Sequence, residues 1–361
     1  MSEIEILAAK IKEAKDAYYN LDPIMSDAEY DALFQKLKSL DSNNAEITSV
    51  GSPAKDGTSA KVKHQIPMGS LNKVNSKEEF SQWVTRISGD DVYISHKLDG
   101  LSMEVVFKDG KFISAVTRGD GIEGEDATKN VSLISDIPHK INMQDCVIRG
   151  EVIMLKSVFQ KNFAGKYANP RNTAAAKIRE KKSDESKYLS FRPYFIYADG
   201  QKFSSMEDML NTLSKLGFSI PTLAAKVKKD EIESVYESQK TNRSSLEYEI
   251  DGLVISSNSM DEINALGEVN MRPEGQIAWK FDALMGITKA IEIKWQTGPT
   301  GRVAPILIVE PVDVGGVSIS RVSLQNLDNF KSLNLFKGCR VLISRRNDVI
   351  PYCEKNLDDN V

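Results

Sequence analysis

Cysteine is scarce in this chain: Cys146, Cys339 and Cys353 are the only three in 361 residues. No two form a Cys-x-x-Cys pair, so alone they make no tetrahedral zinc site, and an odd count gives no disulfide framework. A reducing, cytoplasmic setting is the expectation. Histidine is equally rare, with His64, His96 and His139, which leaves little room for histidine-based catalysis. No apolar run approaches the length of a membrane span. The segment from Met1 to Lys15 is charged throughout and has no secretion core. An excess of positive charge is missing as well. The net charge is −4, so any surface for nucleic acid must be local. Candidates are the lysine- and arginine-rich stretch from Lys161 to Lys187 and the pair Arg345-Arg346.

With 41% hydrophobic and 27% charged residues, the composition is that of a globular protein, and the length suits two or three domains. Ile4, Leu7, Ala8 and Ile11 recur at helical spacing. After Asp22-Pro23, Ser26-Asp27-Ala28-Glu29 reads as a capping box for a second helix carrying Tyr30, Leu33, Phe34 and Leu37. A polar stretch from Asp41 to Ala60 reads as a linker, so residues 1–60 form a small helical module. Ser76-Lys77-Glu78-Glu79 caps a further helix. Strands follow at Val92–Ser95, Leu101–Phe107 and Lys111–Thr117, the last two joined by the hairpin signal Lys108-Asp109-Gly110. Further strands are expected at Cys146–Leu155, Phe191–Ala198, Leu253–Ser256 and Ile277–Phe281, with helices between them. Residues 61–286 thus read as a mixed α+β domain. Residues 287–361 are all-β and turn-rich, suggesting a small closed barrel of the oligonucleotide-binding (OB) type.

The chemistry-bearing string is His96-Lys97-Leu98-Asp99-Gly100, at the end of a strand-like run. Such a lysine can attack phosphorus, and Asp99 can steer its proton or hold a metal. Alone, the string is more often a turn. Its company changes that reading. Arg118-Gly119-Asp120-Gly121 offers a guanidinium fork beside glycines that allow close approach. Glu151 and Asp251 stand on strands, and Lys280 alternates with Trp279 and Phe281. A nucleophile, metal ligands and cationic phosphate clamps are what nucleotidyl transfer requires.

In these motifs the chain resembles the NAD-dependent DNA ligases of bacteria and their viruses. The resemblance runs through Tyr18-Tyr19, Ser26-Asp27-Ala28-Glu29-Tyr30-Asp31, Ser70-Leu71-Asn72, the Lys97 string and Thr117-Arg118-Gly119-Asp120-Gly121. It continues through Arg149-Gly150-Glu151-Val152, Asn169-Pro170-Arg171-Asn172, Asp251-Gly252, Lys280-Phe281 and Asp348-Val349-Ile350-Pro351. It implies an α+β multidomain fold: a helical N-terminal module, a nucleotidyltransferase core of the ATP-grasp-like ligase type, and a C-terminal OB-fold β-barrel. It implies that Lys97 attacks NAD, that AMP passes to the 5′-phosphate of nicked double-stranded DNA, and that a 3′-hydroxyl seals the nick, with Mg2+ required. The setting would be the cytoplasm of a bacterial or virus-infected bacterial cell.

By the same resemblance, Tyr18, Tyr19, Asp27, Tyr30 and Asp31 match the nicotinamide-mononucleotide site. Tyrosines suit stacking on a pyridinium, and carboxylates suit its charge. Ser70, Leu71, Ser95, Arg118, Glu151, Asn169, Arg179, Asp251 and Lys280 match adenosine, ribose, phosphate or metal positions, with Glu151 and Asp251 the metal candidates. Arg171, Arg243, Arg345 and Arg346 are the expected DNA or phosphate contacts. Enzymes using ATP or GTP share the lysine string, but they have no use for the Tyr/Asp module.

Two departures stand out. Ser95 replaces a glutamate that reads the adenine amino group in the family, and Ser256 replaces a lysine expected as a phosphate clamp. Family members also usually continue with a zinc ribbon, helix-hairpin-helix repeats and a terminal domain. The expectation is therefore a short form, or a weakly active subunit whose partner chain supplies those parts.

Overall fold

The Lys108-Asp109-Gly110 string turns the chain as its sequence requires, with Asp109 at φ 51° and Gly110 at φ 69°, the left-handed pair of a tight hairpin. The computed structural model describes residues 2–20, 24–25, 27–49, 51–52, 60–167, 169–181, 183–282, 284–297, 303–314, 318–324, 327–346 and 350–358. The side chains at 18–20, 27, 28, 284, 328, 345, 346 and 350 also lie outside the description.

The elements used below are helices α1 (Glu3–Asn20), α2 (Asp27–Leu40), α3 (Lys77–Val84), α4 (Pro170–Arg179), α5 (Met206–Lys215) and α6 (Ile232–Asn242). The strands are β1 (Asn72–Val74), β2 (Asp91–Leu98), β3 (Leu101–Lys108), β4 (Lys111–Thr117), β5 (Cys146–Met154), β6 (Leu189–Ala198), β7 (Ala224–Lys228), β8 (Ile250–Ser257) and β9 (Gln276–Lys280). Five more follow: β10 (Leu284–Thr297), β11 (Val303–Asp313), β12 (Ser318–Ser323), β13 (Arg340–Arg346) and β14 (Ile350–Asn356). The chain packs into two compact units, Met1–Asp22 with Phe34–Phe281, and Pro23–Leu33 with Asp282–Val361.

In the first unit one sheet runs β1-β9-β8-β2-β7 and a second runs β4-β3-β5-β6. Alternation along β2 sends Val92 and Ile94 into a core with Phe80 and Trp83 of α3 and Ile232 and Tyr236 of α6. Trp279 is the centre of that core, stacked 4.2 Å from Phe80 and 4.0 Å from Tyr236. Tyr93, Ser95 and Lys97 point the other way, and Tyr93 joins the larger core built on the second sheet. Helix α3 starts at the expected cap: Ser76 Oγ accepts from the Glu79 amide at 3.1 Å. The Glu79 carboxylate in turn accepts from the Asn75 amide, one residue before the cap. The cap proposed at Ser26 lies outside the described residues.

In the second unit the sheet order is β12-β11-β10-β13-β14. Its core holds Leu307, Val322, Val341, Ile343, Cys339 and Cys353. The Tyr352 hydroxyl donates to Glu29 within this unit. No described helix is long and apolar enough to cross a membrane.

Candidate active site

Lys97 lies within strand β2, which continues through Leu98, rather than in a turn after it. Ladder pairing explains its surroundings. Gly252 of β8 pairs with Lys97 on one side and with Lys280 of β9 on the other. Three neighbouring strands therefore present lysine, glycine, lysine at one level. A Cβ at Gly252 would sit 2.3 Å from the Trp279 carbonyl oxygen and 2.8 Å from Lys280 Cα, so only glycine fits between them.

The next residue back, Asp251, lies where the β8 register shifts between Ile250 and Gly252. Its carboxylate accepts from Lys97 Nζ at 2.8 and 2.7 Å, and Lys280 Nζ stands 3.6 Å away. One carboxylate is thus shared by two ammonium groups. Asp99 pairs with Arg171 at 3.2 Å, which ties α4 to the Lys97 string.

Glu151 comes from the second sheet. Gly100 lets it approach: a Cβ there would lie 2.9 Å from Glu151 Cγ and 2.3 Å from the Val152 oxygen. Glu151 accepts from Ser102 Oγ at 2.8 Å. Burial drives its carboxyl up to about 7, against the Ser102 bond and the charges of Arg118, Lys97 and Arg171. A carboxyl held so far above its ordinary range marks a candidate functional group.

Arg118 follows β4, and its carbonyl takes a hydrogen bond from His64 Nε2 at 3.0 Å. His64 Nδ1 lies 3.2 Å from buried Glu104, which also pairs with Arg149 at 3.3 Å. Asn169 caps α4, its side chain accepting from the Asn172 amide at 2.6 Å. Arg179, in the last turn of that helix, lies 3.7 Å from Glu125. Burial, with Arg171 nearby, lowers it from its ordinary value despite the pull of Glu125.

Ser70 and Leu71 are half-buried just before β1, the Ser70 amide donating to Met271 O at 3.0 Å. Ser95 pairs with Val254, and Ser256 pairs with Tyr93. The two serines are therefore diagonal neighbours on the Lys97 face, and Ser256 is fully buried four residues past Gly252. It belongs to the Ser95 end of that face rather than the Asp251 end.

Other expected residues are placed differently. Arg243 is only 9% exposed and packs 5.7 Å from the Phe281 ring, which holds it away from the open surface a DNA contact needs. Lys177, in the basic stretch, is buried between Glu180 at 2.6 Å and Glu185 at 2.8 Å. Tyr30 and Asp31 are half-buried in the unit that holds the C-terminal strands. The side chains of Tyr18, Tyr19, Asp27, Arg345 and Arg346 lie outside the described residues.

Sequence reasoning missed Tyr194 and Ser102. A register shift pairs Arg149 with Phe195 but Gly150 with Pro193, so Tyr194 is the extra residue of a bulge, a device that re-aims a side chain. The residue is 39% exposed. Yet burial first, and the Glu151 charge second, push its phenol up to about 12, against the charges of Arg118 and Arg149. Pro193 inside a strand was the available signal.

Among the described residues no three metal-ligating side chains cluster. Glu151 alone, with phosphate oxygens and water, suits the way magnesium is held. Asp251 already serves two lysines.

Residues 17–284 match the model of the NAD-dependent DNA ligase adenylation domain, and residues 287–360 that of the NAD-dependent DNA ligase OB-fold domain. The chain belongs to the NAD-dependent DNA ligase family. It is 37% identical to the DNA ligase of Sorangium cellulosum (strain So ce56), across 98% of this chain and 56% of that protein. It is 34% identical to that of Koribacter versatilis (strain Ellin345), across 99% and 58%. For the DNA ligase of Rickettsia akari (strain Hartford) the figures are 35%, 96% and 54%. This member of the ligase family thus spans a little over half the length of these relatives. They carry the remainder in the same polypeptide, and the comparisons give no support to a split ligase with a separate partner chain.

Proposed function

We propose that this chain is the adenylating part of an NAD-dependent DNA ligase with Lys97 as its nucleophile. The observation that carries the reading is the level of Lys97, Gly252 and Lys280, with Asp251 bridging the two amines. The Lys97 amine forms a P–N bond to the α-phosphorus of NAD. The P–O bond to nicotinamide mononucleotide breaks, and the amine gives up its proton. Next, a 5′-phosphate at a nick attacks the AMP phosphorus and frees Lys97. Finally the 3′-hydroxyl attacks the 5′-phosphorus, closing the phosphodiester and expelling AMP. Nick sealing of this kind serves DNA replication and repair.

Lys280 and Arg118 offset phosphate charge, and Arg171 and Arg179 on α4 extend that clamp. The partly open Tyr194 ring offers a stacking surface, and Ser95, Ser70, Leu71 and Asn169 line the adenosine side. Tyr18, Tyr19, Asp27, Tyr30 and Asp31 are the residues assigned to the nicotinamide half. Residues 61–286 hold the adenylating core, and residues 287–361 form the OB-fold domain. Arg345 and Arg346 contact the DNA backbone. When bound, Mg2+ neutralises developing phosphate charge. Glu151 would hold it, because Asp251 enters a metal's shell only by releasing Lys97. Work in the cytoplasm of a bacterial or virus-infected cell fits this assignment.

The test is incubation of the purified chain with NAD or ATP and Mg2+, followed by intact mass. One added AMP with NAD alone, absent in Lys97→Ala, supports the assignment. Transfer from ATP, or unchanged labelling of the variant, refutes it.

A further inference from the structure

His96 precedes Lys97 but points to the other face of β2, where it is 4% exposed. Its Nε2 stands 2.8 Å from Gln239 Oε1, and its Nδ1 stands 2.9 Å from the Tyr248 hydroxyl. An amide oxygen only accepts, so Nε2 carries the proton. The Tyr248 hydroxyl then donates to Nδ1. It accepts in turn from the Thr222 amide at 2.9 Å and the Thr222 hydroxyl at 2.7 Å. Both ring nitrogens and the Tyr248 hydroxyl are thus satisfied with the ring neutral. Burial favours that state by lowering the imidazole from its ordinary value, against the Gln239 bond. The His96 amide donates to Leu223 O at 3.2 Å.

Four segments meet at this ring: β2, α6 through Gln239, the residues before β7 through Thr222 and Leu223, and the entry to β8 through Tyr248. The last link bears on the chemistry, because Tyr248 precedes Asp251 by three residues. Ladder bonds alone do not set Asp251 against Lys97, since the β8 register shifts just there, between Ile250 and Gly252. A bulge leaves its extra residue outside the ladder; the Asp251 carbonyl accepts from the Phe281 amide at 3.0 Å, which ties it to the β9 side but not to β2. The His96–Tyr248 bond crosses from β2 to the start of β8 one residue before the nucleophile.

We propose that His96 is a positioning residue for Lys97. Through Tyr248 it fixes β2 against the entry to β8, and so sets the Lys97 amine against the Asp251 carboxylate. The role rests on the assignment of Lys97 as nucleophile. Small misplacements of reacting groups are costly, about a hundredfold for 1 Å.

The experiment follows the rate of label transfer from adenine-labelled NAD to the full chain, with Mg2+ present and a thermal melt for each protein. The proteins are wild type, Lys97→Ala, Tyr248→Phe, Thr222→Val, Thr222→Ser and Asp251→Asn, plus the double variant Tyr248→Phe/Asp251→Asn. At saturating NAD, Tyr248→Phe and Thr222→Val are expected to slow labelling roughly 10- to 100-fold, with KM within about threefold of wild type. Thr222→Ser keeps the hydroxyl and the wild-type rate. In the Asp251→Asn background the Tyr248→Phe loss shrinks. The proposal is overturned if Tyr248→Phe labels at the wild-type rate, if its loss only tracks the unfolded fraction, or if the loss is undiminished beside Asp251→Asn. If wild type takes no label, or Lys97→Ala takes it, the nucleophile assignment itself fails and the positioning role falls with it.

Discussion

Lys97 and Lys280 pair with the same residue, Gly252, from opposite sides, and both reach the Asp251 carboxylate. Replacing Asp251 by Asn therefore removes the charge that separates two ammonium groups. Lys97 and Asp251 keep 26% and 27% of their side-chain surface exposed, so the stability cost is small, about 1 kcal/mol. The adenylation rate is expected to fall far more, by about a hundredfold. Urea denaturation and single-turnover labelling separate the two; a rate loss matched by an equal loss of folded protein contradicts the assignment.

Gly252→Ala tests the glycine between the lysines. The added Cβ meets backbone on β9 at 2.3 Å, which no side-chain rotation relieves. A loss of about 1–3 kcal/mol is expected, with labelling impaired even in the folded fraction. Wild-type stability by denaturant titration would show that the strands open without cost.

Trp279 and Lys280 are neighbours on opposite faces of β9, and their substitutions should diverge. Trp279→Ala empties a site stacked between Phe80 and Tyr236 and should cost about 3–5 kcal/mol. Lys280→Met keeps the stem and should leave the melting temperature within a few degrees while labelling drops. Equal effects on melting would mean that Lys280 is chiefly structural.

Glu151 gives a pH signature. Its folded value, about 7, lies above its ordinary 4.5. Between those values the unfolded chain has shed a proton that the folded chain keeps, so stability falls as pH rises across that interval. On the proposed assignment of Glu151 as the residue that would hold Mg2+, the ionised form is the one that binds, so metal-dependent labelling should rise through about pH 7. Arg118→Ala removes the foremost charge favouring ionisation and should move the rise to higher pH, while Glu151→Gln should flatten it. A rise unchanged in Glu151→Gln assigns the titration elsewhere.

The hairpin at Asp109-Gly110 and the alternation around Trp279 were legible because they are local. Strand β4 matched Lys111–Thr117 residue for residue. Strand β14 was missed because Pro351 interrupts the alternation of a segment whose pairing with β13 is set by tertiary contact. Lys177 fell in the basic stretch expected as a nucleic-acid surface, and the glutamates that bury it become its neighbours only in the folded chain. Tyr194 was missed because a bulge, not its own spacing, aims it, and Pro193 was its one trace in the sequence. The grouping of Lys97 with Asp251 could not be read from local pattern at all, because it depends on register between distant strands.

That distance has a consequence for synthesis. Lys97 and Asp251 are separated by 154 residues. At about 5–20 residues per second, roughly 8–30 s pass between the making of one and the making of the other. For most of that interval β2 lacks both ladder partners, since β7 and β8 are still to come. The nucleophilic strand emerges with two bare edges, open to mispairing. Changes that lengthen this unpaired interval are therefore expected to raise aggregation of the nascent chain.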